Sequence, residues 1–156
     1  IRQGEVWRTV TPIFLHGDWL HLIFNMLWLV QLGGQIEALR GTWRFGILVL
    51  VTAAVSCMAQ GVMPAWEGNP VLEAFRGGAM FGGMSGVVYG LFGFVWMRNQ
   101  FQPGSGFIMP QSTVFILIAW LFLCMTGLVG NVANTAHLVG LIVGMTAGYL
   151  PTLWKR

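Results

Sequence analysis

The chain has 156 residues, 56% of them hydrophobic and only 8% charged, with a formal net charge of +3. Soluble domains carry roughly a quarter of their residues as Asp, Glu, Lys or Arg, so this chain cannot cover a surface with charge and reads as an integral membrane protein. Cys57 and Cys124 sit in apolar runs, which excludes a disulfide framework and a CxxC metal site, and the eight scattered basic residues form no nucleic-acid stripe.

The stretch Gly4–Trp19, rich in Trp, Pro and polar residues, is too broken to span a bilayer and reads as an interfacial amphipathic segment. Five apolar spans come after it by hydropathy: Leu20–Leu39, Trp43–Val62, Gly83–Met97, Thr113–Val129 and Ala133–Trp154. A long loop rich in Pro and Gly, from Pro64 to Gly83, separates the second from the third. The fold class expected is therefore an all-α, polytopic transmembrane helical bundle, and residues 1–156 read as one domain. The N-terminus has neither an initiator Met nor an apolar signal region, so the chain reads as a piece of something longer.

Five crossings would leave the chain ends on opposite sides. One side holds Glu37, Arg40, Arg44, Arg98, Lys155 and Arg156, five basic residues against one acidic. The other holds Arg2, Arg8, Arg76, Glu5, Asp18, Glu67 and Glu73, three against four. The excess of Lys and Arg marks the C-terminal side as cytoplasmic. The third span is short: its 15 residues make about 22 Å of helix against a hydrocarbon core of about 30 Å. With Arg98 and Asn99 holding its cytoplasmic end, the other end stops below the outer surface. Irregular backbone at such depth survives only inside protein or beside water. Gly82, Gly83 and Ser85 are therefore expected at the floor of a submerged, water-accessible cavity.

Ser85 stands in Gly-Met-Ser-Gly, which by itself is also a small-residue packing pattern. A nucleophile needs a base, and the chain offers His16, His21 and His137. His137 shares a helix side with Gly140, Gly144 and Gly148, and Gly86, Gly90 and Gly93 form a matching stripe beside Ser85. Two smooth stripes let the third and fifth spans approach closely enough for a Ser85–His137 hydrogen bond, the arrangement of an activated nucleophile. A helix-bridging bond with no chemistry is the alternative. His21 and Asn25, one turn apart, and the Ser85 backbone N–H have the composition of an oxyanion hole, or for the two side chains of an interhelical clamp. Tyr89, one turn after Ser85, is positioned to hold the imidazole by stacking or hydrogen bonding. Glu37, Glu67 and Glu73 lie away from His137 and Asp18 stays open, so the expected machinery is a Ser–His dyad. No cofactor is implied, and a zinc site from the three histidines lacks an HExxH motif and a nearby ligating carboxylate.

Several signatures fall together along the chain: Trp7-Arg8, His16, His21-x-x-x-Asn25, Gly33-Gly34-Gln35-Ile36-Glu37, Gly83-Met84-Ser85-Gly86-Val87-Val88-Tyr89-Gly90, and Ala133-Asn134-Thr135-Ala136-His137 leading to Gly140 and Gly144. In this order the sequence resembles the rhomboid family of intramembrane serine proteases, in its bacterial form. The resemblance implies Ser85 as nucleophile, His137 as general base, and His21, Asn25 and the Ser85 N–H as the oxyanion hole. Tyr89, Gly83 and Gly86 would support them, and Trp7-Arg8 would belong to a membrane-embedded first loop. Substrates would be transmembrane protein segments, cut near their outer end after small residues. They would pair as a strand with Met80, Phe81 and Gly82 and with Asn131, Val132, Ala133 and Asn134. The fourth span would be a lateral gate and Val129–Asn134 a cap. The location implied is a bacterial inner membrane, with the site open to the outer side and no metal or nucleic acid involved. The family's opening helix has no counterpart in this sequence. Two other readings compete: a proteolytically inactive relative that binds membrane clients, against which both Ser85 and His137 count, and a small channel or transporter, which the nearly uncharged spans disfavour.

Overall fold

The structure, a computed structural model, describes residues 4–64, 69–76, 81–130 and 132–153. The N-terminal segment forms two 3-10 turns, Val6–Thr9 and Thr11–Phe14, the second with Pro12 in its first turn, where no backbone donor is needed. These turns bury Ile13 but leave Val6, Trp7, Phe14 and Leu15 exposed, an apolar outer face suited to a membrane interface.

Helix α1 (Trp19–Trp28) is started by Asp18, whose carboxylate accepts a hydrogen bond from the His21 N–H at 2.8 Å. A π turn over Leu29–Gly33 then runs into α2 (Gly34–Arg40), so Trp19–Arg40 is one continuous rod. The extra residue of a π turn rotates the helix beyond it, and here the turn buries Leu32 and Gly33. A Cβ on Gly33 would meet the Phe45 ring at 2.9 Å. Gly41, at φ +86°, reverses the chain into α3 (Thr42–Val62). A single turn, α4 (Pro70–Glu73), lies in the long loop; α5 (Ser85–Phe101), α6 (Gln111–Met125) and α7 (Asn134–Leu153) complete the chain.

The third and fourth spans differ most from the hydropathy reading. The third span begins at Ser85 rather than Gly83, because Gly83 has φ +116°, a conformation no α-helix contains, and it runs on to Phe101. Its 17 residues still make only about 25 Å of helix. The fourth helix stops at Met125 rather than Val129, and Gly127 turns the chain away at φ +77°. Among the described residues, Trp19–Arg40 and Thr42–Val62 are long and apolar enough to cross a bilayer, and Gln111–Met125 is a shorter apolar helix.

Helix α5 is buried on nearly every side, from Gly86 through Val95 and again at Met97 and Arg98. A helix apolar all round belongs at the centre. Its main neighbour is α7, and the glycine stripes are the reason. A Cβ on Gly140 would fall on the Gly86 carbonyl oxygen and one on Gly144 on the Gly90 carbonyl oxygen, so these two backbones touch directly. Helix α3 closes another side of α5 with a buried polar stripe of Thr52, Ser56 and Gln60, one turn apart. The outward surface is apolar: Trp43 and Leu50 on α3, and Phe115 and Phe122 on α6, are all more than half exposed. Soluble proteins rarely show such continuous apolar surface; lipid is its fitting solvent.

Candidate active site

A cavity of about 850 Å³ opens at the end of the bundle where α5 begins, and its walls include His16, His21, Asn25, Ser85, Tyr89 and His137. Ser85 is the first residue of α5, so its backbone N–H has no partner in its own helix. His137 lies in the first turn of α7 and is 3% exposed. The α5–α7 seam sets these two helix starts side by side, and the Ser85 Oγ lies 2.6 Å from His137 Nε2, within hydrogen-bond distance. With the imidazole proton on Nδ1, Nε2 accepts from the hydroxyl. Nδ1 is buried and has no hydrogen-bond partner among the described residues. Asp18 is committed to the cap of α1.

Tyr89 packs against the imidazole in a tilted arrangement, with ring centroids 4.9 Å apart at 37°, while its hydroxyl donates to the Leu117 carbonyl of α6 at 3.0 Å. Of the two roles open to it, the ring contact is therefore the one observed. Asn25 is buried, and its amide donates to the His21 carbonyl at 2.9 Å, which fixes the amide against its own helix while it faces the cavity. Gly83 lies close against the His21 ring: a Cβ there would come within 2.7 Å of His21 Nε2. His16 meets His21 edge-on, with centroids 5.1 Å apart, and its Nε2 accepts from the Met84 N–H at 3.4 Å. Among the described residues no group of three His, Cys, Asp or Glu side chains could hold a metal ion.

The two segments expected to pair with a substrate strand fare differently. Phe81 and Gly82 line the cavity, but the space beside Gly82 is taken by the Leu15 carbonyl, 2.7 Å from where a Cβ would stand. The close approach that Gly82 allows is thus made by the chain's own first loop, and the Gly83 N–H donates to the Pro12 carbonyl beside it. Val132 and Ala133 also line the cavity. Asn134 does not continue them as extended backbone, because it opens α7 and its side chain is 4% exposed. Met80 and Asn131 lie outside the described residues. Across the cavity, Phe24 of α1 stacks on Trp120 of α6 with centroids 5.4 Å apart, closing the seam between those helices.

A second cluster escapes sequence reasoning. The carbonyls of Ala74, Phe75 and Arg76 are held in succession by Asn134 Nδ2 at 2.8 Å, Thr135 Oγ1 at 2.7 Å and Gln60 Nε2 at 2.8 Å. Gln60 Oε1 also accepts from the Ala136 N–H at 3.0 Å, one of the unpaired donors of the first turn of α7. The long loop is thereby tied to the turn that carries His137. Gln60→Ala is expected to lower stability by about 1–3 kcal/mol, since it strands a buried donor and an acceptor; a thermal unfolding curve matching that of the parent would show that the link carries no energy. The signal in the sequence is the spacing Thr52, Ser56, Gln60, three polar residues one turn apart inside an apolar helix.

A helical bundle with an apolar exterior and a hydrogen-bonded serine–histidine pair sunk at the start of two closely packed helices defines a helical membrane protein. The family model described as "Rhomboid domain" matches residues 3–153, and the chain belongs to the rhomboid family. It is 36% identical to rhomboid protease GlpG of Pectobacterium atrosepticum, over 99% of this chain and 51% of that protein. It is 35% identical to rhomboid protease GlpG of Salmonella paratyphi A and of Salmonella choleraesuis, over 100% of this chain and 52% of each. The chain spans about half the length of the curated relatives it matches.

Proposed function

We propose that this chain is the membrane domain of an intramembrane serine endopeptidase that cleaves transmembrane protein segments through Ser85 and His137. The observation that carries the reading is the 2.6 Å contact between Ser85 Oγ and His137 Nε2 inside an apolar bundle. His137 takes the hydroxyl proton as Ser85 Oγ attacks the scissile carbonyl, and the carbonyl oxygen becomes an oxyanion. His21, Asn25 and the Ser85 N–H are its donors in this reading, a contribution often worth several kcal/mol. His137 then gives the proton to the leaving amine, and an acyl ester on Ser85 remains. Water deprotonated by His137 attacks the ester and frees the new carboxylate and the serine.

Phe81–Gly82 and Val132–Ala133, with Met80 and Asn131 beside them in the sequence, are the proposed strand-pairing positions, and Gly83, Gly86 and Tyr89 support the pair. The seam closed by Phe24 and Trp120 is the proposed lateral entry, since α6 is the spanning helix with the least contact to the rest of the bundle. Five crossings, one domain over residues 1–156, a cytoplasmic C-terminus and a site open to the outer face of a bacterial inner membrane complete the reading; it uses no metal or other cofactor. A fluorophosphonate probe tests it. Ser85 of the detergent-purified chain is expected to be labelled, and the labelling to fall to background in His137→Ala. Equal labelling of the two would remove His137 as the base, and no labelling of the parent would favour a client-binding protein without activity.

A further inference from the structure

The opposite end of the bundle holds a second, smaller cavity of about 360 Å³, lined by Ile36, Arg40, Arg44, Leu48, Phe94 and Arg98. Among the described residues its charged walls are three arginines and no acid. Ser85 and Arg98 are thirteen residues apart on α5, about 20 Å along the helix. The cavity is therefore remote from the serine–histidine pair, and its chemistry is independent of that site.

The local structure brings the three charges together. Gly41 turns α2 back into α3, which leaves Arg40 at the end of one helix and Arg44 in the first turn of the next, and Arg44 Nη1 donates to the Arg40 carbonyl at 3.4 Å. The last turn of α5 adds Arg98 from the other side. The Arg98 guanidinium lies 5.3 Å over the Phe94 ring and that of Arg40 lies 5.5 Å over Phe107, so aromatic faces orient both. Arg98 Nη1 donates to Gln102 Oε1, but Arg98 Nε and Arg40 Nε are buried and have no hydrogen-bond partner among the described residues. Among the described residues none of the three arginines makes an ion pair. Glu37, the acid of this turn, accepts from the Thr42 hydroxyl at 2.8 Å and is not part of the cavity wall.

An arginine whose role is to mark the cytoplasmic side or to snorkel to the headgroups keeps its guanidinium in water. Arg98 is only 6% exposed. Burying one guanidinium beside two other positive charges without an anion is costly. Planar, forked donors match an oxyanion, and three positive charges converging on an acid-free cavity favour the higher charge and extra acceptor oxygens of a phosphate over a carboxylate.

We propose that Arg40, Arg44 and Arg98 form a phosphate-binding site at the end of the bundle opposite the serine–histidine pair, occupied by a phosphate group. That group is carried either by an anionic phospholipid headgroup or by free phosphate, and the two sources are separable. The purified chain in a neutral detergent is titrated with sodium phosphate against sodium chloride of equal ionic strength, and separately with phosphatidylglycerol against phosphatidylcholine in mixed micelles. The thermal midpoint and native mass spectra are the readouts. Phosphate or phosphatidylglycerol is expected to raise the midpoint above its control and to appear as a bound adduct. Arg44→Gln and Arg98→Gln are each expected to weaken that binding about tenfold or more, the loss of one charge-assisted contact. Arg44 is exposed and its replacement leaves the buried packing intact, so Arg44→Gln decides the matter if Arg98→Gln does not fold. Stabilisation by phosphatidylglycerol alone assigns the site to lipid; stabilisation by sodium phosphate assigns it to the free ion. Parent-like binding by Arg44→Gln, or no preference of the parent for either phosphate source over its control, overturns the proposal.

Discussion

Ser85→Ala is expected to lower the cleavage of a transmembrane reporter in liposomes by about 10⁴-fold or more, with the thermal midpoint near that of the parent. His137→Ala is expected to match it, and the double variant to lose little more, because a nucleophile and its base act as one unit. The structural reason is the 2.6 Å contact, which the imidazole makes with its other nitrogen unpartnered among the described residues. No carboxylate among those residues shares the work, so activity has no third group to fall back on. Additive losses from the two single variants would mean that Ser85 and His137 act separately, and full activity in Ser85→Ala would remove the assignment of the nucleophile.

The second large effect concerns a residue that touches no substrate. Gly144→Ala is expected to destabilise the protein by about 3 kcal/mol, the upper end of what overpacking costs, and to reduce cleavage with it. The new methyl group would fall on the Gly90 carbonyl oxygen, a backbone atom that cannot rotate aside. The helices must separate instead, and that separation acts directly on the Ser85–His137 distance because both residues sit at the ends of this seam. Gly46→Ala is the control: a Cβ there meets nothing within 4 Å. Helix propensity makes that change neutral or favourable by up to about 1 kcal/mol. Unfolding followed by tryptophan fluorescence measures both, and equal midpoints for the two variants would show that the seam is looser than its geometry.

The sequence is most legible where its information is local. Ser85 and His137 stand out because two glycine stripes state which helix faces meet, and because a short third span states how deep one end lies. Both are patterns within a single helix. Hydropathy misplaces the start of α5 by two residues because it does not register the positive φ of Gly83, which arises from its packing on His21. The π turn at Leu29–Gly33 is invisible for a similar reason, as it answers to the fit of Gly33 against Phe45 on another helix. Asn134 is expected from the sequence to face substrate, yet its amide reaches the Ala74 carbonyl, a partner 60 residues away that no spacing announces. In the sequence Arg98 counts only as an orientation charge; its burial becomes visible once Arg40 and Arg44 are seen beside it.

The π turn also sets the phase of the rod it interrupts. His21 faces the large cavity and Arg40 the small one, nineteen residues apart on one rod packed along α5. At 100° per residue an unbroken α-helix would bring them about a quarter-turn out of phase. The one residue taken up by the wider turn cancels that error. The rod is thus a vernier with a spare division: losing one residue between Leu29 and Gly33 would leave an ordinary helix of nearly the same length with both ends on their bearing, whereas the same loss on either side of the turn would leave one end facing the wrong way.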